Sequence, residues 1–164
     1  MVKKVYYTDS QIDGMIHSII RQLVKDHWVP DYIVGLTRGG LIPAIKISQY
    51  LDIPMETLKV SLRDGGECES NCWMADDAYD GKKILIVDDI NDTGSTLAWI
   101  KQDWALSAYK EDPKWDSIWN ESVRFATLID NDTSPFEVNY IGKSINKSEE
   151  DVWVVFPWEN WWNG

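Results

Sequence analysis

The sequence predicts an α/β fold, a central and mostly parallel sheet with helices on both faces. Three observations carry that prediction. Segments of helical and strand periodicity alternate along the chain. Residues 32–36 and 84–87 are unbroken apolar runs, the pattern of strands buried on both faces. Helical segments lie between successive strands, as the crossovers of a parallel sheet require. At 164 residues the chain is the size of one domain.

Thr8 and Gln11 have the spacing of a capping box, in which each side chain satisfies a free N–H of the first helical turn. Ile12, Met15, Ile16, Ile19, Ile20, Leu23 and Val24 then mark one face of an amphipathic helix. Pro30 and Asp31 end it before the strand at 32–36. Thr37, Arg38, Gly39 and Gly40 turn the chain into a helix over 41–51, with Pro43 in its first turn. A strand is expected over 56–62. Residues 63–81 are polar, too long for an ordinary connector, and read as a functional or mobile loop. The strongest strand signal, 84–87, runs through Asp88 and Asp89 into a turn and a helix over about 94–108. Residues 109–122, with Pro113, Trp115 and Trp119, read as an insertion. Later strands are expected at 124–129, 138–141 and 152–156. Internal repeats and low-complexity tracts are absent.

With 44% hydrophobic and 26% charged residues the composition is that of a globular protein. Sixteen Lys and Arg against 27 Asp and Glu leave a net charge of −11. That balance argues against nucleic-acid polymers and anionic membranes as partners, while a small anionic ligand answers to local geometry. No apolar run reaches the roughly 18 residues of a membrane span, and residues 1–9 lack a signal-peptide pattern. A cytoplasmic protein is expected. Cys68 and Cys72 read as reduced and incidental. His17 and His27 are the only histidines, so a His-rich metal site or a catalytic triad has little to draw on. Ten tryptophans are a heavy load. Trp99 and Trp104 fit a helix's packing face and Trp158 the core. Trp115 and Trp119 fit local packing or a dimer contact, and Trp161 and Trp162 a subunit contact or a capped edge.

The chemistry concentrates at residues 84–96. A buried strand delivers Asp88 and Asp89 to its carboxyl end, where ligands bind in such sheets. Thr93, Gly94, Ser95 and Thr96 follow at a helix N-terminus, offering backbone N–H groups and hydroxyls to an anion. Gly94 allows close backbone approach. Paired carboxylates suit sugar hydroxyls and hydrated Mg²⁺. A phosphate cup beside an acidic pair points to a phosphorylated sugar.

This run resembles the signature of the type I phosphoribosyltransferases: an apolar strand, two acids, two mostly apolar residues, a small or acidic residue, then Thr-Gly-x-Thr. Only Asn91 departs from it, standing where the family has an aliphatic residue. Residues 37–40 resemble the family's pyrophosphate loop. Residues 153–159 resemble the hood over the base in xanthine–guanine and hypoxanthine–guanine enzymes. The resemblance covers nearly the whole chain except 109–122, and divides it into a core over about 1–130 and a hood over about 131–164.

The resemblance implies a role for each matching residue. Asp88 and Asp89 would hold the ribose hydroxyls of phosphoribosyl pyrophosphate, directly or through Mg²⁺. Thr93, Gly94, Ser95 and Thr96 would cradle the 5′-phosphate, and Asp92 would take a proton from the base. Thr37, Arg38, Gly39 and Gly40 would hold the departing pyrophosphate. Ile90 and Trp153 would sandwich the base, and Val154 would read its edge. Glu159 falls where the family places an acid near the base and a second metal. It also implies a homodimer or higher homo-oligomer.

Two departures stand out. The 6-oxopurine enzymes carry a lysine, just after the strand matching 125–129, that donates to the purine's exocyclic oxygen. Here the run is Leu128-Ile129-Asp130-Asn131-Asp132-Thr133, and Asn131 becomes the candidate base contact. The presumed closing loop is acidic, with Asp64, Glu67, Glu69, Asp76, Asp77 and Asp80 against Arg63 alone, a poor lid for an anionic substrate. The expected activity is purine phosphoribosyl transfer. The alternatives are a non-catalytic sensor of phosphoribosyl pyrophosphate with the same fold and a transferase for a non-purine acceptor.

Overall fold

The computed structural model describes residues 2–60, 72–108 and 112–163. In chain order the elements are β1 (Lys3–Tyr6), α1 (Asp9–Lys25), β2 (Tyr32–Thr37), α2 (Leu41–Leu51), β3 (Met55–Lys59), α3 (Cys72–Tyr79), β4 (Ile84–Asn91), α4 (Ser95–Ser107), α5 (Trp115–Ile118), β5 (Val123–Asn131), β6 (Tyr140–Ile145) and β7 (Val152–Val155). Two 3-10 turns, Pro157–Glu159 and Trp161–Asn163, follow.

Five strands form one parallel sheet in the order β3-β2-β4-β5-β6. The apolar runs of β2 and β4 lie at its centre because both faces are covered. Ile33, Leu85, Val87, Ala126 and Leu128 pack against α1 and α2. Val34, Leu36, Ile84, Ile86 and Phe125 pack against α3, α4 and α5. Side chains alternate between the two faces, and each fully buried aliphatic contributes about 1.5–3 kcal/mol.

The Thr8 capping box forms, with Thr8 N donating to Gln11 Oε1 at 2.8 Å and Gln11 N to Thr8 Oγ1 at 3.1 Å. α2 spans the expected 41–51, and Trp104 is fully buried on α4.

Several elements differ from expectation. Residues 72–79 of the presumed loop are helical. Met74, Ala75 and Ala78 of α3 are buried against the sheet. Gly81, at φ 93°, ends the helix, with Gly81 N donating to Ala78 O and Lys82 N to Asp77 O. Asp77 accepts from the Tyr32 hydroxyl at 2.9 Å, at the opposite end of β2 from Arg38. Arg63, Asp64, Glu67, Cys68 and Glu69 lie outside the described residues.

β1 is an element the sequence reading missed. It pairs in parallel with β7, Val5 opposite Val154, as a separate two-stranded sheet. β6 begins two residues later than expected and belongs to the main sheet, so core and hood interleave along the chain. Among the described residues of the insertion, Trp115 is buried and stacks on Trp119 at 5.3 Å. Its indole N–H donates to Ala108 O at 3.0 Å. Trp119 also lies 6.2 Å from Trp104 and 6.3 Å from Phe125, so these two tryptophans pack within the chain.

Candidate active site

Asp88 and Asp89 end the apolar run of β4 half-buried at the carboxyl edge of the sheet. Their backbone geometry is locally fixed. Asp89 N donates to Asp88 Oδ1 at 2.9 Å and Ile90 N to Asp89 Oδ1 at 2.7 Å. The turn after β2 comes against this pair. A Cβ on Gly39 would collide with the Asp89 carboxylate, and one on Gly40 with Val87 O. Only glycine allows the two loops to approach this closely. The Thr37-Arg38 peptide is cis, and Arg38 stands exposed on this turn.

After β4, Gly94 adopts φ 84° and starts α4. Thr93 Oγ1 and Ser95 Oγ lie 2.9 Å apart with both residues exposed. The turn presents hydroxyls at a helix N-terminus, as anion binding needs. Asn91, the one mismatch in the signature, is 2% exposed. Its Nδ2 donates to Asp130 Oδ1 and to Phe136 O, both at 2.8 Å, and its Oδ1 accepts from Ser134 Oγ at 3.1 Å. It ties the segment after β5 to the back of the turn. Burial raises the Asp130 carboxyl above its ordinary pKa and Asp132 adds to the rise, while the Asn91 bond acts against them.

A small open cleft lies beside these loops. β4 and its turn contribute Asp89, Ile90 and Asp92; the C-terminal segment contributes Trp153, Val154, Phe156 and Glu159. Trp153 is half exposed and Ile90 buried, giving the cleft apolar surface beside carboxylates. Glu159 Oε1 accepts from Phe156 N at 2.8 Å, which fixes the turn after β7. Phe156 stacks on Trp158 at 4.9 Å, and Trp158 packs against the core.

The remaining cleft residue, Lys147, is absent from the sequence reading. Its Nζ lies 2.9 Å from Asp92 Oδ2. Lys147 follows β6, in a polar stretch with no periodic signal, 55 residues from its partner. Asn131, the expected base contact, instead stands behind Asp92, 4% exposed. Its Nδ2 donates to Asp92 O at 3.1 Å and Asp92 Oδ1 at 3.3 Å. Its Oδ1 accepts from Thr133 N at 3.3 Å and Lys147 N at 3.2 Å. With its amide so committed, Asn131 orients Asp92 rather than facing a ligand.

Among the described residues no three His, Cys, Asp or Glu side chains gather to enclose a metal. No helix there is long and apolar enough to cross a membrane.

The arrangement agrees with what this chain is similar to. The phosphoribosyl transferase domain family matches residues 6–161. A xanthine-guanine phosphoribosyltransferase of Ruegeria sp. is 32% identical, over 81% of this chain and 69% of that one. Another from Cereibacter sphaeroides is 30% identical, over 77% and 68%. The crystal structure of a purine phosphoribosyltransferase from Pyrococcus horikoshii superposes with a TM-score of 0.67 at 28% identity, covering 96% of this chain and 95% of that one. A match that spans nearly the whole chain, with the fold of the solved relative, places the chain in that family: it is a phosphoribosyltransferase.

Proposed function

We propose that this enzyme transfers the 5-phosphoribosyl group of phosphoribosyl pyrophosphate to a free purine, yielding a nucleoside monophosphate and pyrophosphate. One observation carries the reading. A single strand and its turn supply Asp88 and Asp89, Asp92 and the 93–96 cup, with Asp89 and Asp92 opening onto a cleft walled by Trp153. The relatives named for xanthine and guanine support the purine class.

Thr93, Gly94, Ser95 and Thr96 receive the 5′-phosphate, and Asp88 and Asp89 the ribose hydroxyls. Arg38, with the backbone of Thr37, Gly39 and Gly40, meets the pyrophosphate. Two half-buried carboxylates fit Mg²⁺, a hard ion that takes one or two protein oxygens and completes its shell from water and substrate. Asp88 and Asp89 would hold it, with Glu159 as a further candidate ligand; bound there it neutralises the leaving group's charge. The base stacks between Ile90 and Trp153 with its edge at Val154. Its ring nitrogen forms the bond to C1 of the ribose as the bond from C1 to the pyrophosphate oxygen breaks. The proton leaves for Asp92, whose two oxygens are already oriented by Asn131 and Lys147. The carboxylates also stabilise positive charge developing on the sugar.

The exposed Trp161 and Trp162 supply apolar surface suited to a subunit contact in a homodimer or larger assembly. The cytosol is the compartment this reading expects.

Protein supplied with Mg²⁺ and phosphoribosyl pyrophosphate should release pyrophosphate with hypoxanthine, guanine or xanthine. Asp92→Asn should lower kcat by about 100- to 10,000-fold, the usual share of a general base, with the substrate's Kd little changed. Tight phosphoribosyl pyrophosphate binding without turnover of any purine would overturn the reading in favour of a sensor.

A further inference from the structure

Asn91 stands at the one position of the signature where an aliphatic side chain would need no polar partner. A buried amide has to be met on both its oxygen and its nitrogen. Here its bonds go to Asp130, Ser134 and Phe136 O. All three belong to one segment, residues 130–136, which leaves the end of β5 and passes behind the turn between β4 and α4.

That segment is the floor on which the hydroxyl-bearing turn rests. A Cβ on Gly94 would come within 2.6 Å of Phe136 Cβ and 2.9 Å of Ser134 Oγ, so turn and floor are already in contact. The floor is itself tied together. Ser134 Oγ donates to Asn91 Oδ1 and accepts from Phe136 N at 3.2 Å, and Ser134 N donates to Asn131 O at 2.9 Å. The Phe136 ring reaches the elements on either side. Lys101 Nζ of α4 lies over it at 4.9 Å, and Phe125 of β5 meets it edge-on at 5.1 Å. Packing this close passes a displacement of the floor straight to Gly94. Hydrogen bonds from backbone N–H groups to an anion weaken outside a window of about half an ångström, so the cup has little tolerance for such a shift.

We infer that Asn91 is a positioning residue for the phosphate cup. By pinning residues 130–136 beneath Gly94, it sets where Thr93, Gly94, Ser95 and Thr96 present their donors. The inference rests on the proposed transferase function. It also separates binding from turnover, because Asp92 keeps its own ties to Asn131 and Lys147.

Asn91→Leu, which returns the signature's residue type, should weaken ribose 5-phosphate binding by about 5- to 30-fold, the worth of one or two hydrogen bonds. The Kd for pyrophosphate with Mg²⁺, which relies on the turn after β2, should stay within about twofold. In steady state KM for phosphoribosyl pyrophosphate should rise, with kcat at saturation within about threefold of wild type. Ser134→Ala should weaken ribose 5-phosphate about fivefold and carries the same test if Asn91→Leu does not fold. Combined, the two should cost less than the product of the single losses, the non-additivity of coupled residues.

Equal losses for ribose 5-phosphate and pyrophosphate would make Asn91 a merely structural residue and overturn the inference. So would folded variants whose ribose 5-phosphate affinity is unchanged, with the transferase reading intact. A wild-type protein that binds neither ligand would overturn both.

Discussion

Asp130 shows how the mismatch at Asn91 is accommodated. The amide of Asn91, buried where the family's signature has an aliphatic side chain, must find partners, and Asp130, Ser134 and Phe136 O supply them. The carboxyl of Asp130 is held above its ordinary 3.8 chiefly by burial. With its folded pKa raised, protonated Asp130 contributes stability that is present below about 3.8 and lost as pH rises through the folded value. Asp130→Asn keeps an acceptor for Asn91 and removes the charge. The variant should therefore match or exceed wild-type Tm at pH 7, with the advantage shrinking toward pH 4. A lower Tm at pH 7 would argue against burial as the dominant cause. At this scale the placement of Asp88 and Asp89 at the end of a buried strand, with Asp92 in the turn after it, was legible in the sequence because the apolar run leads straight into the acids. Lys147 was not, since only the fold carries it to Asp92. Asn131 was legible as polar and important, but its direction depends on partners at 92 and 147 that no local pattern specifies.

Among the elements, the helices with full apolar periodicity were legible, and those made legible only by tertiary packing were not. α1 announces itself through its cap and six buried positions. α3 hides because Asp76 and Asp77 lend it the composition of a loop, while Met74, Ala75 and Ala78 do the packing. Its placement also moves Asp77 to the far end of β2 and lessens the anionic lid that the composition suggested. β1 hides because two lysines precede its only inward aliphatic, Val5. In the insertion, Trp115 joins an aromatic series running through Trp119, Phe125 and Phe136, with Lys101 over the last ring at 4.9 Å. Trp115→Ala should cost about 3–5 kcal/mol in urea unfolding, as removal of a buried indole does. An unchanged unfolding midpoint with an altered assembly mass would instead mark it as a subunit contact.

Over the whole molecule, the parallel sheet carries the acidic end of β4 and the turn after it, while the small β1–β7 sheet carries Trp153 and Val154 on the facing cleft wall; on the proposed function the first meets sugar and phosphate and the second the base. The two sheets share one hydrophobic cluster, which joins Val154 and Phe156 to Ile90 and Leu128. Deleting residues 2–6 should unpair β7 and raise KM for the base by about tenfold or more, each 1.4 kcal/mol of lost anchoring being tenfold. Phosphoribosyl pyrophosphate affinity should change far less, and equal loss of both would show that the sheets do not divide the labour.

That pairing also orders events in time. Lys3 lies opposite Val152, so β1 waits for a strand made 149 residues later. At roughly 5–20 residues per second, that interval is about 7–30 s of ribosomal synthesis. Throughout it the nascent chain can build most of its sheet and the acidic strand end, yet β1 waits without the strand that carries Trp153 and Val154. A ribosome that stops early would release a chain with its acidic strand end in place and β1 still unpaired.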